Sequence, residues 1–170
     1  MVNNRKDFTP GNIFCIPLFM SKDDWKLNSK LRKEDYDKNF VFGRIIEISS
    51  YLVVEVFNKI GPATYDLNEI INSGIMLSPV LIFADGIYKK RWKIVSRNPD
   101  YDKYRDSNYA NLEMVYGIPD EFRLRRLSTK EEIPISREEM LQRNIPYATV
   151  WHPIQFERRI LELISNKSGI

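Results

Sequence analysis

The chain has 170 residues, a net charge of +3, 43% apolar and 29% charged side chains, enough for a single domain with a real hydrophobic core. The +3 is spread as charges of alternating sign rather than as one basic face, which argues against a nucleic-acid binder. One cysteine, Cys15, and one histidine, His152, exclude an internal disulfide and any two-histidine metal motif.

Ile13 to Leu18 is a compact apolar run and is predicted as a first strand, ending or lying at an edge where Pro17 removes a donor. Residues 21–39 form a long polar insertion whose large apolar groups are Trp25, Leu27, Leu31 and Tyr36; such connections are functional or mobile. Phe40 to Ile48 and Tyr51 to Phe57 predict an antiparallel hairpin across Ser49-Ser50. Gly43 inside it marks a bulge or a close backbone approach, and Arg44 beside it reads as a structural ion-pair partner, with a binding residue as the alternative. Asp66 and Glu69 predict a short helix start, with Gly74 at its exit. Pro79 to Ala84 and Ile87 to Val95 predict a second hairpin turning on Asp85-Gly86, with Tyr88, Trp92 and Ile94 on one face.

Residues 96–111 are polar but carry Tyr101, Tyr104 and Tyr109. Phe122 to Leu127 predicts a strand, and Ser136 with Glu139 a capped short helix ending near Asn144. Tyr147 to Trp151 is a short β-prone run. Pro153 suits a helix start, and Phe156, Ile160, Leu163 and Ile164 recur at helical spacing. The fold expected is α+β, a single domain over residues 1–170 with a twisted, mainly antiparallel sheet and a few short helices, one of them C-terminal. Ile13, Phe14, Ile16, Phe42, Ile45, Val53, Val80, Ile82, Trp92 and Ile94 are expected to build much of one core.

The chemistry-bearing residues form no familiar set. Seven scattered glycines make no phosphate loop. Cys15 in an apolar strand reads as a buried thiol, although a Cys15–His152 pair would be the nucleophilic alternative. The acidic pairs fall in polar loops or at a helix start. No leader-like or membrane-spanning apolar stretch is read, so the expected location is cytoplasmic. Neither metal nor cofactor is expected.

Gly11-Asn-Ile-Phe-Cys-Ile-Pro-Leu18, Phe42-Gly-Arg-Ile-Ile46, Pro79-Val-Leu-Ile-Phe83, then Gly86 and Arg91-Trp-Lys-Ile-Val95 resemble the immunity protein 26 family of bacterial polymorphic-toxin and contact-dependent inhibition systems. The resemblance covers roughly residues 8–100; the 21–39 insertion and the C-terminal part depart from it. It implies a non-enzymatic toxin inhibitor that binds a cognate toxin domain in the cytosol. Tyr, Trp and Arg dominate interface energies, so Tyr101, Tyr104, Tyr109, Arg105, Trp25 and Tyr36 are the candidate toxin-binding residues. A small β-rich nucleic-acid-binding module with Tyr88, Trp92 and Lys89 to Lys93 as platform is the alternative from another class, and a hydrolase using Cys15 or a carboxylate pair is a third.

Overall fold

A computed structural model describes residues 8–20 and 29–167. Its elements in chain order are β1 (Ile13–Pro17), a 3-10 turn (Lys33–Asp35), β2 (Phe40–Ile48), β3 (Leu52–Gly61), α1 (Leu67–Asn72), β4 (Ile75–Ile82), α2 (Asp85–Tyr88), β5 (Lys93–Ser96), α3 (Lys103–Asp106) and a second 3-10 turn (Tyr109–Asn111). They continue with β6 (Glu113–Tyr116), β7 (Arg123–Arg126), β8 (Glu132–Pro134), α4 (Arg137–Gln142), β9 (Val150–Trp151) and α5 (Pro153–Lys167). The strands form a six-stranded sheet in the order β5-β1-β2-β3-β4-β9 and a three-stranded sheet in the order β6-β7-β8. All neighbours run antiparallel except β4 and β9. The α+β class expected from sequence is therefore the class observed, with a second small sheet added.

The central strands are almost continuously apolar because both faces of the large sheet are covered. Period-two alternation divides their side chains. Phe14, Ile16, Val41, Ile45, Val54, Val56, Val80 and Ile82 point to one face, where Ile87 of α2, Trp92 and Phe156 and Ile160 of α5 close over them. Ile13, Cys15, Phe40, Phe42 and Phe57 point the other way and meet Ile70 of α1. Further along that second face, Ile46, Val53 and Leu81 meet Tyr109, Met114 and Leu127. The residues expected to share one core are thus split among three clusters on two faces; a one-residue step along a strand reverses the face.

Gly43 combines both roles expected of it. The β2–β3 register slips between Val41 and Gly43, and a Cβ at Gly43 would lie 2.5 Å from Cζ of Phe14. The Phe14 ring needs that bare backbone to stack on Trp92, with centroids 5.7 Å apart.

The hairpin expected at Asp85-Gly86 does not form. Asp85–Tyr88 is a single helical turn, Lys90 takes a left-handed conformation, and Trp92 N–H closes onto the Gly86 carbonyl at 2.8 Å. The chain thereby leaves β4 and places β5 on the far edge, beside β1. Elsewhere local signals hold: Asp66 caps α1, Ser136 caps α4, and Asn144 leaves α4 with positive φ.

Candidate partner-binding surface

On the second face of the large sheet, Arg44 of β2 and Glu55 of β3 stand directly opposite one another. Both are buried. Arg44 Nε donates to Glu55 Oε1 at 2.6 Å, and its Nη2 donates to the Asp106 carbonyl at 2.6 Å and to Ser107 Oγ at 3.2 Å. Ser107 Oγ in turn donates to Glu55 Oε1 at 2.7 Å. The guanidinium sits over the rings of Phe57 and Tyr101, 5.2 and 5.0 Å from their centroids. A buried cation needs such a full set of partners. Here the loop before β6 supplies three of them, so the ion pair fastens residues 97–111 onto the sheet.

Gly11 supports the same loop from below. Its φ is +90° and an added Cβ would lie 2.4 Å from Cβ of Tyr101. Its N–H donates to the Ile45 carbonyl at 2.8 Å, which seats this turn on β2. Tyr101 completes the clamp with a 2.7 Å hydrogen bond between its hydroxyl and Ser107 Oγ. Burial pushes the Tyr101 phenol up to about 12.

The three tyrosines of this segment have three different environments. Tyr101 is half-buried as the clamp on Arg44. Tyr109 is 2% exposed; its hydroxyl donates to Glu47 and lies 3.1 Å from the Leu127 carbonyl, and burial, followed by the Glu47 carboxylate, raises its pKa. Tyr104 is 54% exposed and rests edge-on against Tyr109, centroids 5.5 Å apart. Lys103 packs over the Tyr109 ring, its Nζ 3.7 Å from the Tyr109 centroid and 2.8 Å from Glu47 Oε2. Lys130 reaches the other Glu47 oxygen at 3.2 Å. Burial works against the Glu47 charge, but hydrogen bonds from Lys103, Tyr109 and Lys130 outweigh it and hold the carboxyl below its ordinary range. Arg105 is exposed and pairs with Asp106 through Nε and Nη2, at 2.7 and 2.8 Å, while Nη2 also reaches the Asp100 carbonyl. Asp102 caps α3 by accepting from the N–H groups of Tyr104 and Arg105. Of the four candidates here, Tyr104 and Arg105 are exposed, whereas Tyr101 is half-buried and Tyr109 buried.

Tyr36 lies far along the chain from this loop and is tied to the β5 edge. Lys93 Nζ donates to its hydroxyl at 2.7 Å, and the Tyr36 carbonyl accepts from Ala63 N–H at 2.9 Å. Trp25 lies outside the described residues.

A second buried charge cluster was not foreseen from sequence. Arg91 donates through Nε and Nη2 to Glu157 Oε1 and Oε2, both at 2.7 Å, and Trp92 Nε1 donates to Oε1 at 2.8 Å. Glu157 is fully buried on α5. The clue available in the sequence was a glutamate at a position between Phe156 and Ile160 that the helical spacing turns towards the sheet. Trp92 is 1% exposed and so cannot serve as the stacking platform of the nucleic-acid alternative. Cys15 is wholly buried, and burial pushes its thiol up to about 11, the opposite of what a nucleophile requires. Among the described residues no three His, Cys, Asp or Glu side chains form a metal-sized group.

The Gly11, Gly43-Arg44 and Arg91-Trp92 segments of the resemblance are therefore the points where backbone and charge are most constrained. The family model for immunity protein 26 matches residues 9–118. The chain belongs to the immunity protein 26 family. The immunity protein 26 match runs beyond the segment expected from sequence and takes in the whole Arg44-anchored loop with Tyr101, Tyr104, Arg105 and Tyr109. Glu157, the partner of Arg91, lies outside it. No curated protein and no solved structure matches the chain.

Proposed function

We propose that this protein is a non-catalytic immunity protein that binds and neutralises a cognate bacterial toxin domain in the cytosol of the cell that makes it, with residues 1–170 acting as one immunity domain. Membership of the immunity protein 26 family over residues 9–118 carries this reading. The geometry supports it: the buried Arg44–Glu55 pair fastens the loop to the sheet while Tyr104 and Arg105 stand out from it. A preorganised aromatic and an arginine on a fixed loop are what an interface anchor requires, since little ordering entropy is then lost on binding.

Expression of a candidate toxin domain, sought among the reading frames next to this gene, should arrest growth, and co-expression of this protein should restore it. Toxicity that persists with the protein abundant and folded, and without complex formation in purified mixtures, would refute the reading. Loss of protection in a folded Cys15→Ala protein would instead favour the hydrolase alternative.

A further inference from the structure

Glu47, near the end of β2, joins three segments that are far apart in the chain. Its Oε2 accepts from Lys103 Nζ at 2.8 Å and from the Tyr109 hydroxyl, and its Oε1 accepts from Lys130 Nζ at 3.2 Å. These partners lie 56, 62 and 83 positions away. Lys103 belongs to α3, Tyr109 to the second 3-10 turn, and Lys130 to the turn between β7 and β8. Both oxygens of the carboxylate are thus engaged, on a side chain only 22% exposed.

The exposed Tyr104 ring makes two contacts of aromatic type. It lies edge-on to Tyr109, with centroids 5.5 Å apart, and its centroid is 5.7 Å from Lys103 Nζ. Glu47 holds both of these neighbours. The pose of the ring therefore depends on a carboxylate to which Tyr104 makes no hydrogen bond.

Lys130 has a left-handed φ of 62°, a conformation that glycine adopts with less strain. Its N–H closes the turn onto the Arg126 carbonyl at 3.0 Å, a bond that glycine would make equally well. What lysine adds at this position is its side chain. That side chain is 59% exposed, and Glu47 takes one of its three donors. The turn also rests on the loop before β6 through the main chain. Leu127 N–H donates to the Leu112 carbonyl at 2.9 Å, and Ser128 Oγ to the Ala110 carbonyl at 3.1 Å.

We propose that the toxin-binding surface is composite, with Tyr104 of α3 and Lys130 of the β7–β8 turn meeting the toxin domain together and Glu47 positioning both; this rests on the toxin-binding reading above. The partner that fits is a protein surface with an apolar recess for the Tyr104 ring. Carbonyl or carboxylate oxygens border that recess and receive the Lys130 ammonium, which can only donate. If the cluster served the fold alone, its loss would lower stability and leave affinity unchanged.

The test is titration calorimetry of the full chain and its variants against a purified candidate toxin domain. Melting temperature and nuclear Overhauser contacts are measured on the protein alone. Lys130→Gly should leave the melting temperature unchanged or raise it, because glycine suits the left-handed backbone, yet bind about tenfold more weakly or worse. Glu47→Gln should lose the ring contact between Tyr104 and Tyr109 and weaken binding by a similar factor. In a Tyr104→Ala/Lys130→Gly protein the same Glu47→Gln change should cost less than about twofold, since the residues it positions are gone. If Glu47→Gln does not fold, Lys103→Met removes the support of the Tyr104 ring instead. Affinity of Lys130→Gly within twofold of the unaltered protein, or a Glu47→Gln loss that is the same in both backgrounds, would overturn the proposal. An unaltered protein that binds no candidate domain removes the toxin reading and this proposal with it. Binding that is indifferent to the variants removes the proposal alone.

Discussion

Replacing Arg44 with methionine should be the most informative single change in this protein. Methionine preserves much of the apolar stem between Phe57 and Tyr101 but removes every hydrogen bond of the guanidinium. Glu55 would remain 2% exposed with Ser107 Oγ as its hydrogen-bond donor, and the Asp106 carbonyl would lose its donor. Removing one member of a buried pair costs about 3–5 kcal/mol, against a total stability of about 5–15 kcal/mol. For a chain of this length that corresponds to a fall in Tm of about 6–20 °C. Replacing Glu55 with leucine as well should recover most of the loss, because no charge is then stranded. It should not restore the docking of residues 97–111, so toxin affinity should stay low while stability returns. Urea denaturation of the two variants, with amide exchange across the loop, measures both effects. A loss below about 1 kcal/mol in Arg44→Met, or a double variant no more stable than the single one, would refute the assignment of the ion pair as the loop's anchor.

The exposed and buried tyrosines should separate cleanly. Tyr104→Ala should weaken toxin binding by about 2 kcal/mol or more with little change in stability, whereas Tyr109→Ala should cost about 3–5 kcal/mol of stability, read by titration calorimetry and denaturation respectively. Trp92→Ala should lose about 3–5 kcal/mol, and Glu157→Gln should lower the denaturation midpoint by leaving Arg91 with a neutral partner. Arg105 hydrogen-bonds the Asp106 carboxylate and holds its pKa down at about 2 from an ordinary 3.8. Because that pKa is depressed by folding, the stabilisation is complete above about pH 4 and is lost as pH falls towards 2; amide exchange at residues 103–107 should accelerate in that window, and Asp106→Asn should remove the acid dependence. A chain ending at residue 118 should fail to show cooperative unfolding, since it lacks β9, α5 and Glu157.

The strands, the caps and the identity of most core residues were legible because they depend on near neighbours. Alternation in β1 to β4, Asp66 before α1 and Ser136 before α4 are local signals with local causes. The error at Asp85-Gly86 has a nonlocal cause. Asp-Gly suits a tight hairpin, but Trp92 must turn inward to meet Phe14 and Glu157, and that bond pattern takes the chain across to β1 instead. The candidate surface was legible as a segment but not as residues. Tyr101, Tyr104 and Tyr109 differ little in sequence context, and what separates them is contact with Arg44 and Glu47, both more than 50 positions away in the chain. The structural reading of Arg44 was accessible because a lone arginine between apolar strand residues must find a counter-charge. Its partner Glu55 stands directly opposite once the hairpin register is known.

The Arg91–Glu157 pair has a consequence for how the chain is made. Its members are 66 residues apart, so at ordinary translation speeds of ~5–20 residues per second Arg91 exists for about 3–13 s before Glu157 does. During that interval one face of the nascent large sheet lacks α5 and carries a cation meant for the interior. The growing chain is therefore exposed to proteases and to edge-to-edge association until its last helix arrives. A ribosome slowed between codons 91 and 157 would lengthen that exposed interval in proportion, and only a completed chain covers this face of the sheet.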